Sequence, residues 1–382
     1  MSNHVAVFAF PFGTHAAPLL AVVRRLAASS PSTHFSFFST QQSNSSIFSA
    51  DKQNMDFMQS NIKAYDVSDG VPEGHVFSGN PLERIELFMK SARESLKKAM
   101  EVAVSETGRR VSCLVSDAFF WFACEMAEEI GVVWLPFWTA GPNSLAAHVY
   151  TDLIRETFGA GGMVGREDET LSLIQGMSKI RTSDLPEGVL FGNTESFFSI
   201  MLHKMGKALP RAAAVFINSF EELDPGITEC LKSKLKRFLN IGPSNLISAP
   251  PPVADTSGCI TWLDKQKLAS VAYVSFGSVA TPPPHELVAV AEALETSEIP
   301  FIWLNGCMIE DVWEIGLKVE DGVFTKHGLV SSLNKILSQE EGQKMRENIR
   351  ALEQLAKKAI GSNGSSINNF IALSNLMLNK KM

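Results

Sequence analysis

Short apolar runs of strand length alternate with segments of helical period through the first two-thirds of this chain, and that alternation restricts the fold more than any single motif. His4 to Phe12 (HVAVFAFPF) is a buried-strand candidate, and Ala16 to Ala28 (AAPLLAVVRRLAA) places apolar residues at helical spacing after a loop. His34 to Thr40 (HFSFFST) and Ile62 to Val67 (IKAYDV) are further strand candidates. A long helix is predicted next: Asn80 serves as N-cap ahead of Pro81, Glu83 stands three residues on as a capping-box partner, and Gly108 is the stop. Val111 to Ser116 (VSCLVS) is a strand, Phe119 to Ile130 a helix and Val132 to Phe137 (VVWLPF) another strand. Repeated strand–helix units of this kind predict an α/β fold, a parallel sheet covered by helices on both faces.

At 382 residues the chain exceeds one ordinary domain. Pro250, Pro251 and Pro252 cannot continue regular structure, so residues 244–258 are read as a linker between domains at 1–243 and 259–382. In the second region Val271 to Phe276 is a strand, His285 to Thr296 a helix and Phe301 to Trp303 a short strand, after which the pattern is almost wholly helical. A complete doubly wound domain does not run out of strands so early.

The 45% of hydrophobic and 20% of charged residues are a globular balance. A net charge of −7 without a Lys/Arg-rich stripe argues against nucleic acid as a partner. Five scattered cysteines without CxxC spacing signal neither a disulfide framework nor a zinc site, and point to reduced thiols in a cytoplasmic protein. Pro11, Gly13 and Thr14-His15 interrupt the apolar N-terminus, and Arg24-Arg25 follow the apolar run, which is not the pattern of a signal peptide. No apolar run approaches the ~20 residues of a membrane span.

His15 follows the first strand and Asp117 follows VSCLVS. Ligands of open parallel sheets bind beyond the carboxyl ends of the strands, so both residues fall at the expected site, and a carboxylate beside an imidazole is the arrangement of an oriented general base. Taken alone, a histidine after a strand is more often a loop or capping residue. Gly159-Ala160-Gly161-Gly162-Met163-Val164 begins like GxGxxG but follows a helical stretch and lacks the third glycine, so it is better read as a loop. Ser275-Phe276-Gly277-Ser278 ends a strand ahead of a helix, where backbone N–H groups can meet a phosphate, or simply make a tight turn. Twenty-five phenylalanines, with Phe119, Phe120, Trp121, Trp138, Phe197 and Phe198 near the same strand ends, suit a flat aromatic ligand as well as a core.

Taken together, HVAVFAFPFGTHAAPLL, SDGVPEG, VSDAFFWFA, LPFWTAGPNSLAAHVYTDLIRE, VFINSFEELDP, CITWLDKQKLASVAYVSFGSVATPPPHELVAVAEALE and MIEDVWEIGLKVEDGVFTKHGL resemble the plant anthocyanidin/flavonol 3-O-glucosyltransferases. The resemblance implies a GT-B-like fold of two Rossmann-like domains, the first binding acceptor and the second UDP-sugar. It also implies an inverting reaction with UDP-glucose as co-substrate and no metal or further cofactor. By that resemblance His15 is the general base and Asp117 the carboxylate orienting it. Gly13, Phe119, His148 and Phe198 belong to the acceptor site, Thr139 touches the donor sugar, and Gly277 and Ser278 lie beside its phosphates. Leu82 and Pro186 stand where some relatives have polar acceptor-site residues. The expected partners are a flavonoid and UDP-sugar, bound by a monomer.

The family follows its Phe-Ile-Trp with a segment that ends in a donor-binding signature: a Trp-x-x-Gln opening, a His-Cys-Gly-Trp-Asn-Ser core and a terminal Asp-Gln. Here Trp303 is followed directly by LNGCMIEDVWEIG, which resembles the stretch after that signature. The C-terminal domain is accordingly expected to be truncated, and glucose transfer by this chain to be weak or absent. The alternative is a non-catalytic remnant that binds flavonoid or a partner.

Overall fold

The computed structural model describes residues 3–48, 61–80, 82–159, 165–247, 255, 258–267, 270–274, 282–303 and 323–379. The chain divides into two compact units, Met1–Ile247 with Lys358–Met382, and Ser248–Lys357. In chain order the first contains β1 (His4–Phe8), α1 (Ala16–Ser29), β2 (His34–Thr40), α2 (Gln41–Ile47), β3 (Ile62–Val67), α3 (Glu83–Thr107), β4 (Cys113–Asp117), α4 (Ala123–Glu129), β5 (Val133–Trp138), α5 (Pro142–Val149), α6 (Thr151–Phe158), α7 (Phe197–Ala208), β6 (Val215–Ile217), α8 (Pro225–Lys234), β7 (Phe238–Asn240) and α9 (Ser244–Ile247). The second holds α10 (Cys259–Leu263), β8 (Ala272–Val274), α11 (Pro284–Ser297), β9 (Phe301–Trp303), α12 (Lys326–Ser338) and most of α13 (Glu340–Ala359), after which α14 (Ser365–Met377) returns to the first.

The first unit is built on one seven-stranded sheet of order β3-β2-β1-β4-β5-β6-β7, every neighbouring pair parallel. Side chains alternate across its strands, so β1 feeds two cores. Ala6 and Phe8 join Phe38, Leu114 and the buried residues of α3, including Phe88, Ala92 and Leu96. Val5 and Val7 join Phe35, Phe37, Val115 and Phe137 against Leu19, Val22, Val23 and Leu26 of α1. Burial on both faces is why these strands are near-continuous apolar runs. From β1 the chain runs outward to β2 and β3, then crosses back to β4 on the other flank, so the strand order reverses between β1 and β4.

The long helix ends as its sequence predicts, with Gly108 left-handed at φ 63° and its N–H donated to the Val104 carbonyl. Its start differs. The helix begins at Glu83, Asn80 Oδ1 accepts from the Leu82 N–H, and the Glu83 carboxylate turns away from Asn80 toward Ser78. Pro81 lies outside the described residues.

The sequence groups residues 259–382 together, but α14 packs on the first unit. Leu373 and Met377 are fully buried in the α1-side core, and Asn369 Nδ2 donates to Glu221 Oε1 at 2.8 Å and to the Asn240 carbonyl at 3.1 Å. Arg25 lies 4.1 Å from the centroid of the Phe370 ring and donates to the Ile241 carbonyl. An amphipathic pattern tells that a helix has an apolar face, not which sheet that face covers.

In the second unit β8 and β9 pair in parallel, the only sheet among its described residues. Tyr273 is 65% and Phe301 43% exposed, and the buried apolar residues of α11 are Val290, Ala293 and Leu294. Among the described residues that is fewer strands, and less apolar cover, than a doubly wound unit has. Pro250 to Pro252, Gly277, Ser278 and the chain directly after Trp303 lie outside the described residues.

Candidate active site

The reversal of strand order puts the ends of β1 and β4 side by side, and the two residues singled out there meet. His15 opens α1, Asp117 closes β4, and His15 Nδ1 lies 2.8 Å from Asp117 Oδ2. Asp117 is 1% exposed, and its other oxygen accepts from the Phe119 N–H at 2.9 Å, so the carboxylate is held from both sides. A carboxylate can only accept, which assigns the proton to Nδ1 and leaves the lone pair on Nε2. Thr139, directly after β5, brings Oγ1 within 3.2 Å of the same Nδ1 as a second, longer contact. Part of the His15 ring remains open to solvent.

Gly13 supplies the turn that delivers His15. Its φ of 59° is a left-handed conformation, and a Cβ built there would meet nothing closer than His15 Cδ2 at 3.8 Å. The requirement for glycine is therefore one of backbone conformation and not of space.

Aromatic rings surround the dyad. The His15 ring centroid lies 4.6 Å from that of Phe119 and 5.0 Å from that of Phe10. Phe119 in turn meets Phe198, at the start of α7, at 5.9 Å and Trp138 at 6.0 Å, and Trp138 meets His148 of α5 at 5.6 Å. His148 is 5% exposed, and burial lowers its pKa to about 4, so at neutral pH it is an uncharged, flat, polar-edged ring. The candidates His15, Asp117, Thr139, Phe119, His148, Phe198 and Gly13 thus belong to one continuous neighbourhood. Gly277 and Ser278 are not among the described residues. Phe10, fully buried and part of the core, is a further neighbour of the dyad. Its position inside the apolar run HVAVFAFPF gave it the signature of core, although it packs directly on His15.

Among the described residues no cluster of three or more His, Cys, Asp or Glu side chains could hold a metal, and no helix is long and apolar enough to cross a membrane.

No protein-family model matches the chain. Among solved structures it superposes on a glucosyltransferase from Polygonum tinctorium capable of glucosylating indoxyl with a TM-score of 0.79 at 18% identity, covering 100% of both chains. It superposes on a UDP-glucose: anthocyanidin 3-O-glucosyltransferase in complex with UDP with a TM-score of 0.89 at 34% identity, again covering 100% of both. Sheet order and superpositions define an α/β UDP-glycosyltransferase of the GT-B fold. The sequence is 53% identical to an anthocyanidin 3-O-glucosyltransferase of Vitis vinifera, covering 99% of this chain and 98% of that protein. It is 47% identical to the flavonol 3-O-glucosyltransferase of Arabidopsis thaliana, covering 99% and 97%. The chain therefore belongs to the plant anthocyanidin/flavonol 3-O-glucosyltransferases.

Proposed function

We propose that the first unit binds a flavonoid and activates its 3-hydroxyl, and that this chain transfers little glucose because its donor site is incomplete. The observation that carries the first half is the 2.8 Å contact between His15 and Asp117 at the strand-order reversal, inside a cluster of aromatic rings. In this reading His15 Nε2 takes the proton of the acceptor hydroxyl, the oxygen attacks the anomeric carbon from the face opposite UDP, and configuration inverts. Asp117 holds the tautomer and stabilises the imidazolium. Phe119, Phe198 and His148 flank the flat acceptor, with Gly13 shaping the loop beside it. Neither a metal nor a further cofactor enters.

The second half rests on the sequence after Trp303. The alignment with the Vitis protein runs over 449 positions, whereas this chain has 382 residues, a difference that requires gaps on this chain's side. We assign the main gap to the Trp303–Leu304 junction, where the family's donor signature is expected. Thr139, Gly277 and Ser278 are then what remains of the donor site. Loss of one oriented contact to developing charge costs typically ~2.7–4 kcal/mol, so loss of the uracil, ribose and phosphate contacts together exceeds what three residues can supply.

Titration of the intact chain with quercetin, followed by quenching of tryptophan fluorescence, tests the acceptor half. Saturable binding well below ~1 mM is expected; no binding at that concentration overturns it.

A further inference from the structure

The loop between β3 and α3 leaves the sheet at its carboxyl edge, the edge at which His15 and Asp117 meet. It begins with the SDGVPEG stretch, residues 68–74, for which the chemistry above has no use. Its first residue is tied to α3 by the Ser68 N–H, which donates to Ser95 Oγ at 3.1 Å, and its later part is held by one side chain. The Glu83 carboxylate accepts from the Ser78 N–H at 2.7 Å and the Ser78 hydroxyl at 2.6 Å through Oε2, and from His75 Nε2 at 2.8 Å through Oε1. These bonds, that from the Ser78 hydroxyl foremost, hold the carboxyl pKa below its ordinary value. Phe77, between the two donors, packs against His75 at 4.9 Å and under the Arg84 guanidinium at 4.0 Å.

The held loop is coupled to the site through α3. Gly70 sits so close to the helix that a Cβ there would meet the Leu87 carbonyl oxygen at 2.4 Å and Ser91 Oγ at 2.6 Å. Within the same turns Phe88 meets Phe10 at 6.1 Å and Phe12 at 5.6 Å, and Phe10 is the ring packed on His15. The staple thus fixes a loop at the carboxyl edge to the turns of helix that back the dyad's aromatic neighbours.

We propose that Glu83 is a positioning residue for acceptor binding: it staples the 68–80 loop to the start of α3 and so preorganises this flank of the flavonoid site. The proposal rests on the acceptor reading given above. A carboxylate with three donors is suited to this task because it removes much of the freedom the loop would otherwise lose on binding.

The test uses the full chain as wild type, Glu83→Ala and Glu83→Gln, with quercetin as the probe and chymotrypsin cleavage at Phe77, mapped by mass spectrometry, as the measure of loop order. Glu83→Ala is expected to cleave at Phe77 at least tenfold faster and to bind quercetin at least tenfold more weakly. Glu83→Gln, whose amide oxygen can still accept from Ser78, should recover most of both, which general destabilisation would not produce. Thermal melting of all three identifies any variant that fails to fold; should Glu83→Ala be one, His75→Ala, which removes one of the three donors, carries the comparison and is expected to cleave faster at Phe77 and to bind quercetin more weakly. Unchanged cleavage in Glu83→Ala refutes the staple whatever quercetin does. Faster cleavage with unchanged quercetin affinity refutes its link to the site. A wild type that does not bind quercetin, with the staple intact by cleavage, refutes the acceptor reading and this role with it.

Discussion

Asp117 and His15 are separated by 102 positions in sequence yet share a 2.8 Å hydrogen bond, because β1 and β4 are hydrogen-bonded neighbours whose carboxyl ends coincide. The contact is a consequence of topology. Any chain that leaves β1 to build one flank and returns through β4 to build the other brings these two loop positions together.

The dyad should behave as a unit. In a version of the chain with the family's donor segment restored at Trp303–Leu304, His15→Ala is expected to lower kcat about 10²–10⁴-fold. Asp117→Asn should act in the same direction, and the double variant should be hardly worse than His15→Ala alone. Initial rates with quercetin and UDP-glucose check this; losses that multiply in the double variant would show two independent roles.

Acid should destabilise the first unit through its buried histidines. With its pKa lowered to about 4 against an ordinary 6.5, His148 in the folded state refuses a proton that the unfolded chain takes up. Its contribution is therefore fully present above pH 6.5 and is lost as pH falls toward 4, on the order of 3 kcal/mol in all and roughly 2 kcal/mol by pH 5. His4 and His34, both lowered chiefly by burial, act with the same sign. Urea unfolding of wild type and His148→Gln at pH 7 and pH 5 measures it. The variant should lose distinctly less stability on acidification, and equal losses would contradict the assignment.

At Gly13 the prediction separates backbone from space. Alanine has room there but must adopt φ near 59°, at a cost of about 1–2 kcal/mol. Asparagine tolerates that conformation better, so Gly13→Asn should melt higher than Gly13→Ala. The reverse order would mean that contact with His15, and not conformation, governs the position.

The placement of α14 predicts that a substitution near the C-terminus destabilises the N-terminal sheet. Leu373 is fully buried against the α1-side core, so Leu373→Ala should cost about 2–5 kcal/mol. Hydrogen exchange of β1, β4 and β5 amides follows the right unit. Protection unchanged in those strands would contradict the packing.

The parts of the fold legible in the sequence were those with strong local signals. β2 and β3 were read to the residue, because each is a β-rich run bounded by polar breaks, and α1 and α11 to within a residue or two at each end. β6 and β7 were not read from periodicity, since three residues such as Val215–Ile217 are too few to show a period and owe their strand to the neighbours they pair with. The capping box at Asn80 and Glu83 was a sound local pattern overridden by a better set of donors at Ser78 and His75. At the site, strand ends alone placed His15 and Asp117 at one edge of the sheet, where they meet, while their catalytic roles rest on the resemblance. His148 and Thr139 were singled out by resemblance alone, and Phe198 by resemblance and as one of the aromatic residues near the strand ends, because side chains gathered from α5, α7 and the end of β5 have no common signature in sequence.

What we propose is the acceptor half of a flavonoid 3-O-glucosyltransferase beside an incomplete donor half. The direct measurement is glucose transfer from UDP-glucose to quercetin by the purified chain, beside the version with the donor segment restored at Trp303–Leu304. The account predicts turnover by the restored chain and at most a trace by this one, although both bind quercetin. Comparable turnover by the two would contradict it.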